Sequence, residues 1–440
     1  MSGLALLGLI MLLVMLGAIF IGFPISFTLL FLALTFGYFG LGEVVFSLAY
    51  FQTIGMMKEE LLAAVPLFIF MGFITEQAGL MERLFTAFRL LLAPIRGSLY
   101  AVVILTSAVF AMATGIVGAA VTVLGIMASP IMIKTGYDGR LSAGAITAGG
   151  TLGILIPPSI MLVVMGPVLE VPVTTLFAAA IVPGILLATL FTGYAMLRCL
   201  INPKLGPPLA VERRAVGAAA LWIEFFAGLV PPAVLVLAAL GSIVFGIATP
   251  TEGAACGAAG ALLLTLAYRR LTWARLKDAL VKTLEISVLI LFLVATSNFF
   301  GAVFARLGTP TMLTDVLLGL DLNRYVVLSF IMGLIFLLGW PLEWVPIVLI
   351  VVPFLLPLVT KLGFDLTWFG ILVAVNLQTA WLSPPVALSA YFLKGVVPQW
   401  DLGDIYKGMM QFMGLQLFAL VLIIAFPEIA LWLPKLIYSK

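Results

Sequence analysis

Apolar runs of about 18 to 25 residues follow one another along the whole chain, parted by short polar or basic stretches. Runs of that length cross the ~30 Å hydrocarbon core of a bilayer as α-helices, and they lack the strict alternation of a barrel strand. The pattern therefore predicts an all-α polytopic membrane protein. Two of the runs are interrupted. GGTLGILIPPSIML (149–162) sets three glycines and two adjacent prolines inside what hydropathy alone reads as one helix. Proline has no backbone N–H and clashes with the preceding turn, so the pair predicts a broken helix. A second Pro-Pro interrupts NLQTAWLSPPVAL (376–388) in the same way.

Composition agrees with the pattern. Of 440 residues, 64% are hydrophobic and 9% charged, with a mean hydropathy of +1.27; soluble domains carry roughly 25% charged residues. The first run, Leu4–Phe23, has no basic segment before it and no convincing cleavage site, so it reads as a retained helix and not a signal peptide. Basic residues cluster around Arg83–Arg96, Lys134–Arg140, Arg198–Arg214, Arg269–Lys282 and Lys394–Lys407. Placing these clusters in the cytoplasm leaves the uncharged N-terminus, MSGLALL, outside. The chain has no histidine, no HExxH and no nucleophile–base pair within an apolar run, which argues against an enzyme. Cys199 and Cys256 have no metal-ligand spacing, and nothing points to nucleic acid or an organic cofactor.

The two halves are alike. PIMIKTGYD (130–138) and PLVTKLGFD (357–365) share Pro, Lys, Gly and Asp in register, and the same offset of 227 carries Pro157 and Pro158 onto Pro384 and Pro385. Gly72 and Gly79 correspond similarly to Gly301 and Gly308. Counting helices puts Lys134 inside and Lys361 outside, so the expected fold is two inverted-topology repeats. Repeat 1 spans 1–200 and repeat 2 spans 216–440, joined by a polar, Pro-rich cytoplasmic linker at 201–215. Each repeat is expected to hold a re-entrant helical hairpin, about 98–134 and about 325–361, and a broken transmembrane helix, about 141–165 and about 367–395. The hairpin tips fall at ATGIVGA (113–119) and GWPLEW (339–344); two full helices with a short turn at Gly115 remain an alternative to the first hairpin. Lys134/Asp138 and Lys361/Asp365 read as structural i,i+4 pairs.

Inverted repeats with broken helices near the midplane mark secondary transporters. Non-helical backbone at membrane depth is tolerated where it is buried in protein or lines a cavity, so the breaks are expected to form binding sites, with a simple proline kink as the alternative. Glu343 is the strongest charged candidate, because it sits at a tip with no basic residue nearby in sequence; a carboxylate facing an aqueous vestibule is the bland reading. Thr147 and Thr151 precede the first Pro-Pro, and Asn376, Gln378 and Thr379 the second. With Ser159 and Ser383 beside the prolines, they can bind ion or substrate, or simply hydrogen-bond between helices.

GGTLGILIPPS, GIATPTEGAACGA (246–258) and NLQTAWLSPP closely resemble the large membrane subunit (the M, or DctM-like, component) of tripartite ATP-independent periplasmic (TRAP) transporters, over essentially the whole chain. The resemblance implies an elevator-type, sodium-driven importer of small organic anions such as dicarboxylates, in the bacterial inner membrane. It implies two partners, a small membrane subunit and a periplasmic substrate-binding protein. No small-subunit segment is fused to the first helix, so a separate small subunit is expected. It also implies Na+ sites where tips meet breaks: Thr114 with backbone around Gly153, Ile156 and Pro158, and Glu343 with Asn376–Ser383. At the first tip the family often has Ser-Gly-Ser-Ser where this chain has Thr-Gly-Ile-Val (114–117), and at the second it usually has Asp where Glu343 stands. A stand-alone anion symporter or antiporter without a binding protein is the competing expectation. The amphipathic segments 46–60 and 269–282 are expected to brace the scaffold at the membrane surfaces.

Overall fold

The computed structural model describes residues 3–114, 117–208, 218–319, 322–384 and 387–438; among them the regular structure is entirely helical. The first half runs α1 (Gly3–Ile21), α2 (Ile25–Leu41), α3 (Val44–Met57), α4 (Ala64–Gln77) and α5 (Leu80–Leu91). A helical hairpin follows, α6 (Ser98–Thr114) and α7 (Val117–Lys134), then α8 (Gly139–Leu155), α9 (Ile160–Leu169) and the long α10 (Val173–Ile201). The second half repeats the order. It has α11 (Ala218–Val244), α12 (Pro250–Ala267), α13 (Trp273–Arg306) and α14 (Thr309–Leu318), and a second hairpin of α15 (Arg324–Leu338) and α16 (Trp344–Lys361). Then come α17 (Leu366–Gln378), α18 (Leu388–Val396), α19 (Leu402–Ala425) and α20 (Glu428–Tyr438). Eight described helices are long and apolar enough to cross a membrane, and the pair α8 and α9, bent by 42° at its break, makes a ninth.

The two broken helices lie side by side and antiparallel. Gly370, early in α17, packs against Met165 and Leu169 at the end of α9, whereas Gly139, at the start of α8, lies against Trp400 beyond the end of α18. An antiparallel pairing is what inverted repeats would place at their junction. Every residue of α8 from Leu141 to Leu155 and of α17 from Thr367 to Gln378 is buried, packed among α6, α7, α10, α15 and α19. The outer helices form a second set: α4 lies on α12, α5 on α11, and α2 and α3 on α13. The 46–60 segment is thus an arm laid along α13.

The aspartates of the repeated motif act as helix caps and not as partners of their lysines. Asp138 Oδ1 accepts from Leu141 N (2.8 Å) and Asp365 Oδ1 from Trp368 N (2.9 Å), each satisfying a free N–H at the start of a broken helix. The helix has ended between Lys and Asp, so the i,i+4 geometry assumed from spacing does not exist; Lys361 instead lies 3.7 Å from Asp315. The ATPTEG stretch is likewise structural. Thr249 and Glu252 form a reciprocal capping box at the start of α12, and Thr251 donates to Glu60 O (3.0 Å) at the foot of α4. The opening of the linker is docked, since Leu205 O accepts from Tyr100 Oη (2.6 Å) and Asp138 N (3.0 Å). Residues 209–217, most of the rest of the linker, lie outside the described residues.

Helices α8 and α19 approach closely enough that glycine is obligatory at the crossing. A Cβ at Gly408 would stand 1.9 Å from Arg140 O, and one at Gly144 2.6 Å from Gly408 O. Gly408→Ala should force the two helices apart and cost about 2–3 kcal/mol, read as a lowered Tm in detergent. Gly414→Ala, on the same helix with open space around it, should be neutral or stabilising by up to about 1 kcal/mol. Equal behaviour of the two variants would show that the crossing is not tight.

Candidate functional site

The prolines act first on the backbone. In a helix, Gly153 O and Ile154 O would accept from residues 157 and 158, but Pro157 and Pro158 have no N–H. The helix therefore ends with Ile156 N donating to Leu152 O (2.8 Å), and Ile156 turns to an extended conformation. The Ser159 hydroxyl donates to Ile154 O. Gly153 O is left without a donor from its own helix. At the second break the chain tightens into a 3₁₀ turn, Thr379–Trp381, and Pro384 again withholds a donor. Pro385 and Val386 lie outside the described residues.

Each hydroxyl next to a break spends its proton on a carbonyl of its own helix. Thr147 donates to Ala143 O (2.7 Å), Thr151 to Ala148 O (2.8 Å), Thr379 to Asn376 O (2.6 Å) and Ser383 to Thr379 O (2.7 Å). What remains on each oxygen is lone pairs, so these groups present acceptors. Asn376 donates Nδ2–H to Met332 O (2.7 Å) of α15, tying the second hairpin to its break, and its Oδ1 is buried without a donor among the described residues. Around each break the polar groups that remain are oxygen acceptors, the donor type that a hard monovalent or divalent cation prefers. Among the described residues no three His, Cys, Asp or Glu side chains cluster as metal ligands.

Both tips and both breaks meet at one cavity of about 250 Å³. Val117 and Gly118 come from the first tip, and Ile154, Ser159, Ile160 and Met161 from the first break. Glu343, Trp344 and Val345 come from the second tip, and Trp381 and Leu388 from the second break. The far wall is α13. Glu343 is exposed in this cavity, at the N-terminus of α16, and makes no ion pair with any described residue. A stretch of π-helix, Ile347–Val351, follows it; such stretches recur at functional sites. Of the residues expected to bind substrate, only Ser159 lines this cavity. Thr147, Thr151, Asn376, Gln378, Thr379 and Ser383 are buried behind it. Gly153 and Pro158 are buried too, and Ile156 packs against Gly184 of α10. Thr114 closes α6, but its side chain lies outside those described.

One buried amide joins the two breaks, and sequence reasoning missed it. Gln416, on α19, is fully buried; its Nε2 donates to Thr151 Oγ1 (3.0 Å) and to Gln378 Oε1 (3.3 Å). Both of its N–H donors are thereby spent on opposite repeats, while its own Oε1 and the Nε2 of Gln378 have no partner among the described residues. The available signal was a lone amide in an otherwise apolar helical stretch, GLQLFALVL (414–422).

Comparison with known proteins adds the family. The model of the tripartite ATP-independent periplasmic transporter DctM component matches residues 9–429. The chain is 30% identical, over 96% of its length and 97% of the relative's, to the sialic acid TRAP transporter large permease protein SiaM of Vibrio cholerae. It is 29% identical, over 94% and 96%, to the C4-dicarboxylate TRAP transporter large permease protein DctM of Rhodobacter capsulatus. Among solved structures, the YdaH transporter of Alcanivorax borkumensis matches with a TM-score of 0.62 at 16% identity over 88% of this chain and 89% of its own. MtrF of Neisseria gonorrhoeae matches at 0.58 and 13%, over 98% and 95%. At those identities the two structures speak for the fold alone.

The Gln416 bridge is testable on its own. Gln416→Leu removes both hydrogen bonds and should cost about 1–3 kcal/mol, seen as a lower Tm. Thr151→Val should cost little more in the Gln416→Leu background than the Gln416→Leu change costs alone, because the two changes remove one shared contact. Strictly additive losses would separate the residues.

Proposed function

The chain belongs to the DctM family, the large permease components of TRAP transporters, and from that membership we propose that it carries sodium-coupled import of a small organic anion. It is a transporter component and not an enzyme. One observation carries the reading: two hairpin tips and two helix breaks, from antiparallel repeats, face one cavity in which Glu343 is the only charged side chain among the described residues.

The chemistry of that cavity supports both ligands. Helix α9 starts at Ile160 and α18 at Leu388, both on the cavity wall, so two helix N-termini with their free N–H groups and partial positive charge serve an anion. Behind the wall, oxygen acceptors serve a cation. Gly153, Ile156 and Pro158 with Thr114 form one proposed Na+ site; Glu343 with Asn376 and the segment to Ser383 forms the other. Bound sodium would supply positive charge where the chain has none. Thr147, Thr151, Gln378 and Thr379 then hold the breaks in shape, while Ser159 stands at the substrate.

The proposed motion is an elevator. The hairpins, the broken helices and α19 pack as one set, and the site faces α13 through Ile286, Leu289, Ile290 and Leu293. An apolar wall makes no hydrogen bonds that sliding must break. As in the family, the proposed partners are a small membrane subunit and a periplasmic binding protein, in the inner membrane of a bacterium. Family membership favours this over a stand-alone symporter.

Uptake into proteoliposomes, with and without an inward sodium gradient and with both partners present, tests the reading. Wild-type uptake should require the gradient. Glu343→Gln replaces an acceptor-only carboxylate by a neutral amide, and should raise the half-activating sodium concentration at least tenfold. A wild-type sodium response in this variant would remove Glu343 from the cation site.

A further inference from the structure

The cavity is poor in polar groups, and this limits what it can hold. Apart from Glu343, the polar groups its described residues carry are the Ser159 hydroxyl, already donated to Ile154 O, the indoles of Trp344 and Trp381, and the backbone at the helix N-termini. Phe392, Leu388 and the α13 face make the remainder apolar. No lysine or arginine is among the described residues that line it, and the chain has no histidine. By sequence, Gly115, Ile116, Pro385 and Val386, which lie outside the described residues, carry neither charge nor hydroxyl, and Thr114, whose side chain lies outside those described, adds one hydroxyl. An adjoining cavity of about 190 Å³ that shares Glu343, Trp344, Trp381 and Leu388 adds Ile25, Trp340 and Leu342, and again no base.

We propose that the substrate is a carboxylate monoanion with an apolar body, branched or aromatic. The proposal rests on the cavity being the substrate site. One carboxylate can be met by a helix N-terminus and an indole N–H. The two proposed cations would balance Glu343 and one carboxylate; a second carboxylate would find no basic side chain among the described wall residues to receive it. Each sugar-like hydroxyl without a partner lowers affinity roughly tenfold or more, whereas each methylene laid on an apolar wall raises it about fourfold. The wall therefore selects against dicarboxylates and polyhydroxylated acids. The names of relatives that carry sialic acid or C4-dicarboxylates do not decide the point, because at about 30% identity the walls of their sites need not match.

The test uses the full-length chain in lipid nanodiscs with its small membrane partner, in sodium buffer. Thermal unfolding is followed with phenylpyruvate, 4-methyl-2-oxopentanoate and benzoate, and with succinate and N-acetylneuraminate, each at about 10 mM. At least one apolar monoacid should raise Tm by about 3 °C, with succinate and N-acetylneuraminate below about 1 °C. Phe392→Ser and Leu289→Ser, each first shown to unfold cooperatively without ligand, should weaken the apolar acid at least fivefold. Stabilisation by succinate or N-acetylneuraminate that Phe392→Ser abolishes would overturn the substrate class and leave the site standing. Stabilisation by an apolar acid that neither variant changes would overturn the site. A panel in which no apolar acid stabilises would overturn the class as well.

Discussion

A missing backbone donor is the constraint on which this structure turns. Inside a bilayer a carbonyl has no water to turn to, so a helix that loses an N–H must end, bend or find another partner. Pro157 and Pro158 remove two donors in succession, and the chain answers in two ways. Ile154 O takes the Ser159 hydroxyl, while Gly153 O keeps no donor from its helix. Everything around the break follows from the need to shelter it. Leu141–Leu155 is buried on all sides, and glycines at 144 and 408 let α19 close over it.

The second repeat solves the same problem with different side chains. Its hydroxyls at Thr379 and Ser383 fold back onto carbonyls, and Asn376 reaches across to Met332 O of its own hairpin. Because the broken helices are antiparallel neighbours, their breaks fall at one level, and a single amide, Gln416, touches both. One side chain thereby gives the two breaks a shared hydrogen-bonded contact, a route by which a change at one can reach the other.

Much of this was legible in the chain. Adjacent prolines marked both breaks but also stand at Pro231–Pro232 inside the continuous α11; the offset of 227 singled out the two that break, and the tips at 113–119 and 339–344 fall where α6 and α15 end. What stayed hidden depended on partners distant in sequence. Gln416 meets Thr151 from 265 residues away, and the α13 wall opposite Glu343 belongs to a helix that periodicity marks only as apolar. Spacing also misled at Lys134/Asp138 and Lys361/Asp365, because i,i+4 implies contact only while the helix continues. Glycine at 136 and 363, both at positive φ, ends the helix between them and frees the aspartate to cap the next. Polarity near the breaks was visible, yet which way each hydroxyl points was not, and that direction makes Thr147, Thr151, Thr379 and Ser383 acceptors behind the wall.

That direction bears on how coupling would arise in the proposed cycle. An isolated carboxylate at the second tip repels an anion entering the same cavity, and at ~5 Å the repulsion reaches several kcal/mol in a medium of effective dielectric near 20. No basic side chain among the described wall residues offsets it, and two helix N-termini contribute only partial charge. The chain alone is therefore a poor anion receptor by construction. In the proposed cycle, buried oxygen acceptors would hold a cation, and a cation there would cancel the field of Glu343 at the place where the anion must sit. Affinity for the anion would then exist only in the cation-loaded state. Coupling of this kind needs no moving gate between the two ligands; it follows from putting a single acid, and no base, in an apolar cavity.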